Sequence, residues 1–97
     1  MVKMRAYDLA IEIYHEVKEL NLNANLQDQV ERASSSVALN LAEGWGKRTK
    51  KDREKYFTNA FGSIREMQAV CDLEPASLAT LKPKLDRLAA SVYKLTF

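Results

Sequence analysis

The order of apolar and polar residues predicts four amphipathic helices joined by short connections. Apolar positions that recur every three or four residues indicate a first helix over about residues 3–20. Asn25 and Thr49 are predicted N-caps, because their side-chain oxygens can accept hydrogen bonds from free amides of a first turn. The second helix is therefore predicted over about 26–44, and the third over about 50–72.

The same spacing defines the core faces of these three helices. The first helix presents Met4, Tyr7, Ile11, Tyr14 and Val17, widened by Ile13 and Leu20. The second presents Leu26, Val30, Ala33, Val37 and Leu41. The third presents Tyr56, Phe57, Ala60, Phe61, Ile64, Met67 and Cys71. Gly44 and Gly46 follow the second face, and glycine in the left-handed conformation is predicted to end that helix.

A leucine register that crosses a proline predicts the fourth helix. The register consists of Leu78, Leu81, Leu85, Leu88, Val92 and Leu95. Pro83 removes one intrahelical hydrogen bond, so the helix either begins near Lys82 or begins near Ala76 and kinks. The unbroken register favours the kinked helix. Four such helices predict an all-α fold, an antiparallel up-down four-helix bundle that occupies residues 1–97 as one domain.

A polar stripe borders the core face of the second helix. Its members are Gln29, Arg32, Ser36, Asn40 and Glu43. At about 100° per residue, the stripe lies between the core face and Leu39. The solvent face is predicted on the far side, at Gln27, Asp28, Glu31 and Ser35.

The third helix carries a second polar group beside its own core face. This group consists of Asn59, Gly62, Ser63 and Glu66. We expect the two groups to meet, with a close helix approach at Gly62 that offsets the cost of a mid-helix glycine. Arg32 would then pair with Glu66, or with Glu43 across a subunit boundary. The alternative is a semi-exposed flank of solvated side chains.

The residues after the second helix form a basic segment, residues 47–55. Its sequence KRTKKDREK holds six basic and two acidic side chains, a net charge of +4, whereas the whole chain carries +2. Exposed cations contact phosphates without reading sequence, and a neighbouring tryptophan can stack on an unpaired base. The candidate nucleic-acid-binding residues are Trp45, Lys47, Arg48, Lys50, Lys51 and Arg53. The alternative is a solvated helix entry, with Trp45 covering one end of the bundle.

Composition narrows the remaining chemistry. A single cysteine, Cys71, and a single histidine, His15, exclude an internal disulfide and a Cys/His zinc site within one chain. The motif Glu-x-x-His occurs once, at Glu12, whereas a di-iron bundle needs it on two helices. We therefore predict no catalytic residue, no metal, no cofactor and no enzymatic activity. No apolar run reaches the roughly 18 residues of a membrane span, so we expect a cytoplasmic protein without membrane contact.

Two motifs resemble a known family. They are QxxRASSSVALNLAEG from Gln29 to Gly44 and AFGSIRE from Ala60 to Glu66. Together they resemble the 23S rRNA-intervening-sequence proteins, which are similar to the accessory variability determinant proteins of diversity-generating retroelements. The resemblance implies four-helix bundles that assemble into homopentamers. For the accessory proteins, it implies a basic surface that binds nucleic acid and a reverse transcriptase.

Two functions are therefore expected as alternatives. The first is a non-enzymatic homo-oligomer, a pentamer by the resemblance, that binds RNA or DNA through the basic segment. The second is a protein-interaction module that binds no nucleic acid. In both, the resemblance makes assembly the expected purpose of the polar stripe and of its partner group on the third helix.

Overall fold

Residues 4–97, described by a computed structural model, form four helices and no strand. Helix α1 spans Arg5–Lys18, α2 spans Ala24–Trp45, α3 spans Lys50–Leu73 and α4 spans Lys82–Thr96. Consecutive helices pack side by side, and α1 also packs against α4. The predicted all-α, antiparallel up-down bundle is thereby confirmed. The predicted first-helix start at residue 3 lies outside the described residues.

Side-chain caps begin both central helices. Oγ1 of Thr49 accepts a hydrogen bond from the amide of Asp52 at 3.1 Å, as predicted. Oδ1 of Asn23 accepts one from the amide of Leu26 at 2.9 Å, and α2 begins immediately after it. The prediction of Asn25 as the cap is therefore wrong by two residues.

Gln27 links the first turn of α2 to the preceding part of the chain. Its Nε2 donates to the carbonyl oxygen of Val17 at 3.0 Å and to the carboxylate of Glu31 at 2.8 Å. Its Oε1 accepts from the amide of Leu22 at 3.3 Å. Gln27 therefore fastens the first turn of α2 to the end of α1, and its predicted position on the solvent face is wrong.

The core face of α1 is rotated from the predicted one. The buried residues within the helix are Ala6, Ala10, Ile13 and Val17. Tyr7, Ile11 and Tyr14 are only partly buried and lie on the flank. The apolar spacing predicted that these larger side chains face the core, whereas Ala6 and Ala10 occupy the centre of the packed face.

Helix α2 ends without a left-handed glycine. Gly46, the C-cap, has φ −78° and ψ −7°, and none of the glycines has a positive φ. The amide of Gly46 donates to the carbonyl oxygens of Ala42 and Glu43 at 3.3 and 3.2 Å. The predicted left-handed termination is therefore wrong, since a right-handed turn satisfies these carbonyls.

Of the three glycines, Gly44 is the one at which α2 and α3 are in close contact. A Cβ atom at Gly44 would lie 2.7 Å from Cε1 of Phe57 and 3.0 Å from Cβ of Tyr56. A Cβ atom at Gly62 would meet nothing within 4 Å. The predicted close approach at Gly62 is therefore wrong for the single chain, because this residue faces solvent.

Helix α4 begins at Lys82, so the kinked alternative is wrong. Pro83 lies in the first helical turn, where the missing amide hydrogen has no intrahelical acceptor. Residues 74–81 form a series of turns. These turns still carry Leu78 and Leu81 into the core, so the leucine register predicted burial correctly and conformation incorrectly.

Candidate nucleic-acid interface

The basic segment lies at the end of the bundle where α2 finishes and α3 starts. Arg48, Lys50 and Lys51 are exposed there. Nζ of Lys50 lies 3.8 Å from a carboxylate oxygen of Glu54, one turn along α3. Within residues 4–97, Arg48 and Lys51 have no carboxylate within ion-pair distance. Cationic groups are therefore available to solvent on both sides of the helix start.

Arg53 helps to build the segment. Its Nη1 donates to the carbonyl oxygens of Lys47 and Arg48 at 3.0 and 3.1 Å, and the residue is half-buried. A planar guanidinium that bridges consecutive carbonyls holds the connection in one conformation. The structure thus gives Arg53 a positioning role that composition did not reveal, while its predicted phosphate contact stays a prediction.

Lys47 also has partners within the chain. Its Nζ lies 3.3 Å from a carboxylate oxygen of Glu43 and 5.1 Å from the ring centre of Tyr56. The hydrogen bond with Glu43 raises the pKa of Lys47 above its ordinary value. Trp45, the last residue of α2, is exposed beside this group. Lys47 therefore stays cationic while its charge is partly engaged, and the indole of Trp45 remains accessible.

The polar stripe and the polar group of α3 meet inside the chain. Oγ of Ser63 donates to Oγ of Ser36 at 2.9 Å, and Nδ2 of Asn40 donates to the carbonyl oxygen of Ser36 at 2.9 Å. Nε2 of Gln29 donates to a carboxylate oxygen of Glu66 at 2.9 Å. These contacts confirm that the two groups face each other across α2 and α3.

Three predicted interface residues point away from that contact. Arg32 pairs with Asp28 at 3.1 Å, one turn earlier on α2, so its predicted pairing with Glu66 is wrong. Glu66 is already engaged by the other end of the stripe. Glu43 and Asn59 are exposed. Their role in assembly stays a prediction.

Leu39 lies on the exposed side of α2, at the outer edge of the polar stripe. Its side chain is 69% exposed. It separates two shallow grooves of about 470 and 300 Å³. The larger is lined by Ala42, Glu43, Gly46 and Lys47 and the smaller by Ile11, Tyr14, Ser35 and Ala38. Leu39 therefore borders both grooves.

Of the three side chains that could carry other chemistry, Glu12 is engaged in an ion pair and Cys71 is buried. Glu12, the acid of the Glu-x-x-His motif, contacts Nζ of Lys84 at 2.6 Å, and this hydrogen bond lowers the pKa of Glu12. Cys71 is buried, which raises the pKa of its thiol and disfavours the reactive thiolate. His15 is exposed. Residues 4–97 contain no cluster of three metal-ligating side chains.

Across α1 to α4, no helix combines the length and the apolar character needed to cross a bilayer.

Comparison with known proteins identifies one family. The family model described as 23S rRNA-intervening sequence protein matches residues 1–96. Neither a curated protein nor a solved structure matches the chain.

Proposed function

Because the chain belongs to the 23S rRNA-intervening sequence protein family, we propose that it is a non-enzymatic protein that binds nucleic acid through its basic segment. The observation that carries this proposal is the exposure of Arg48, Lys50 and Lys51 at one end of the bundle. The segment carries a net charge of +4, so the rest of the chain carries −2. Such a local excess of positive charge attracts phosphates.

The cations of the basic segment have two roles, and Trp45 next to the segment has a third. Arg48 and Lys51 contact phosphates directly, because no carboxylate of the described chain pairs with them. Lys50 joins them, since an exposed ion pair at 3.8 Å is weak and is displaced easily. Lys47 and Arg53 hold the connection in place. Trp45 stacks on an unpaired base beside them.

Reversing two charges tests this proposal. We expect Lys50→Glu combined with Lys51→Glu to weaken RNA or DNA binding at 50 mM salt by about 100-fold or more, because attraction to phosphates becomes repulsion. Fluorescence anisotropy with a labelled 20-nucleotide strand measures the affinity. For the wild type, the logarithm of the affinity should fall steeply and linearly with the logarithm of salt concentration.

A matched variant separates local charge from total charge. Lys18→Glu combined with Lys82→Glu changes the net charge equally, but at the opposite end of the bundle. We expect this variant to retain most of the binding. Equal losses in the two variants, or no wild-type binding at low salt, would show that the basic segment is not a nucleic-acid site.

We further propose that α2 mediates assembly of several copies, a pentamer by family resemblance. Leu39 supports this proposal, because an exposed leucine gains stability when a second molecule covers it. Arg32 and Glu43 border it with opposite charges, so one copy can offer each sign to the next. A reverse transcriptase is a further proposed partner, which rests only on the resemblance of the two sequence motifs to retroelement accessory proteins.

Substitution of Leu39 tests the assembly. We expect the wild type to sediment as an oligomer at micromolar concentration and Leu39→Asp to sediment as a monomer, because a buried aspartate lacks a partner there. Leu73→Asp is the control, since Leu73 is also exposed, at 65%, and ends α3 at the opposite end of the bundle. A monomeric wild type would contradict the assembly. An oligomer that binds no nucleic acid would instead indicate a protein-interaction module.

A further inference from the structure

Three aromatic rings cluster on the surface between α3 and α4. The ring centres of Tyr93 and Phe97 lie 4.9 Å apart. The ring centre of Phe61 lies 6.0 Å from that of Tyr93 and 5.8 Å from that of Phe97. Tyr93 is 54% exposed and Phe97 is 71% exposed, whereas Phe61 is half-buried. We call these three residues the aromatic platform. Sequence spacing assigned Phe61 to the core and did not identify the platform.

Packing between the two helices accounts for only part of this arrangement. Phe61 joins α3 to the end of α4, yet Tyr93 and Phe97 leave more than half of their surface in water. Adjacent rings that remain exposed provide flat apolar faces to a ligand. Every nucleobase has a matching face, and stacking on an aromatic ring tolerates any base sequence.

A cation lies beside the platform. Cζ of Arg65 lies 5.6 Å from the ring centre of Phe61, and its Nη1 donates to Oε1 of Gln68 at 3.1 Å. Arg65 is exposed. A guanidinium in this position can contact a phosphate or extend the stacking surface, because it is both planar and charged.

The exposed face of α3 connects the platform to the basic segment. Lys51, Lys55 and Arg65 lie within an arc of about 80° on the helix and extend over about 21 Å along its axis. All three are exposed. Gly62 lies on the same arc and leaves open space, since a Cβ there would meet nothing within 4 Å. A strand can therefore follow this face without meeting a bulky side chain at Gly62.

Two acidic side chains that border this face are engaged. Glu54 lies within ion-pair distance of Lys50. Glu66 accepts a hydrogen bond from Gln29 on α2. Neither carboxylate lies in the arc of the three cations, so the face presents a net positive charge to a strand.

We propose that the aromatic platform, with Arg65 beside it, stacks unpaired bases of a single-stranded nucleic acid whose phosphates follow Lys51 and Lys55. This inference rests on the proposed function and specifies its ligand. A duplex offers phosphates to the lysines, but its bases are already stacked on one another and cannot reach the rings. The platform therefore favours single strands over duplexes.

Removal of the two exposed rings tests the inference. Tyr93→Ala combined with Phe97→Ala should weaken binding of a single-stranded 20-mer by about tenfold or more, because stacking of each base is lost. The affinity for a duplex of the same sequence should stay unchanged. The dependence on salt should also stay unchanged, because stacking releases no counterions. RNA and DNA versions of both ligands identify which nucleic acid binds better.

Two further variants exclude a structural explanation. Tyr93→Phe keeps the ring, so its affinity for a single strand should be close to that of the wild type and higher than that of Tyr93→Ala. In a Trp45→Phe background, Phe97→Trp places an indole on the platform, and we expect a single strand, but not a duplex, to quench its fluorescence. Circular dichroism confirms that each variant is folded.

The outcomes separate this inference from the proposed function. If Tyr93→Ala combined with Phe97→Ala loses no affinity, or loses it equally for single strands and duplexes, the aromatic platform is not a stacking site. If the aromatic platform fails this test but Lys50→Glu with Lys51→Glu abolishes binding, the proposed function stands without the stacking site. If the wild type binds neither ligand, both are overturned.

Discussion

Replacing Gly44 with alanine is expected to lower the free energy of unfolding by about 1–3 kcal/mol, although alanine is the better helix former. A Cβ atom there would lie 2.7 Å from the ring of Phe57 and 3.0 Å from Cβ of Tyr56. Phe57 is itself buried, so its ring cannot move into open space. The backbones of α2 and α3 must separate instead, and this disturbs packing along both helices.

Gly62→Ala provides the matched control. Gly62 also lies inside a helix, but its added methyl group would meet nothing within 4 Å. We therefore expect Gly62→Ala to raise the free energy of unfolding by up to about 1 kcal/mol, the gain in helix propensity. Urea denaturation of the two variants should give changes of opposite sign. Stabilisation by Gly44→Ala would contradict the close approach of α2 and α3 at this residue.

The two glycines illustrate what spacing alone predicts. Both occur inside helices, and the sequence suggested a close approach at Gly62 and a helix end at Gly44. On the wheel of α2, however, Gly44 has the same angle as Leu26, about 60° from Gln29, and so continues the core face. That signal was present in the sequence. The direction from which α3 approaches was not, and it decides which glycine is in contact.

Helix α4 shows a similar limit. Leucines three and four residues apart predict burial on one side, but consecutive turns can satisfy that spacing as well as a helix can. Pro83 favoured the turns, because an amide-free residue is tolerated in a first turn and costly in a helix interior. The register therefore identified Leu78 and Leu81 as core residues, and only the proline indicated where α4 begins.

The sequence predicted where the cations of the candidate site lie, but not the contacts that their side chains make. The charge of residues 47–55 located the cationic cluster, and four of its six cations are exposed as expected. The engagement of Arg53 with two carbonyl oxygens depends on the path of the connection, which no residue pattern specifies. The aromatic platform depends on where α4 ends relative to Phe61 on α3, a distance that only packing determines.

Leu78→Ala is expected to lower the free energy of unfolding by about 2–5 kcal/mol, as for a leucine in a helical core. Leu78 lies in the turns of residues 74–81, yet it is only 1% exposed. Its carbonyl oxygen accepts hydrogen bonds from the amides of Leu81 and Lys82, each at 3.0 Å. The turns therefore hold the side chain in the core, and truncation leaves a cavity that the packed helices cannot fill by rearrangement.

Leu73→Ala separates burial from local structure. Leu73 ends the regular part of α3 but is 65% exposed, so its truncation should change the free energy of unfolding by less than about 0.5 kcal/mol. Urea denaturation at equal protein concentration compares the two variants. If both changes are small, residues 74–81 do not pack onto the core as the structure describes. A large loss for Leu78→Ala alone would show that this segment folds with the bundle and that burial of Leu78 stabilises it.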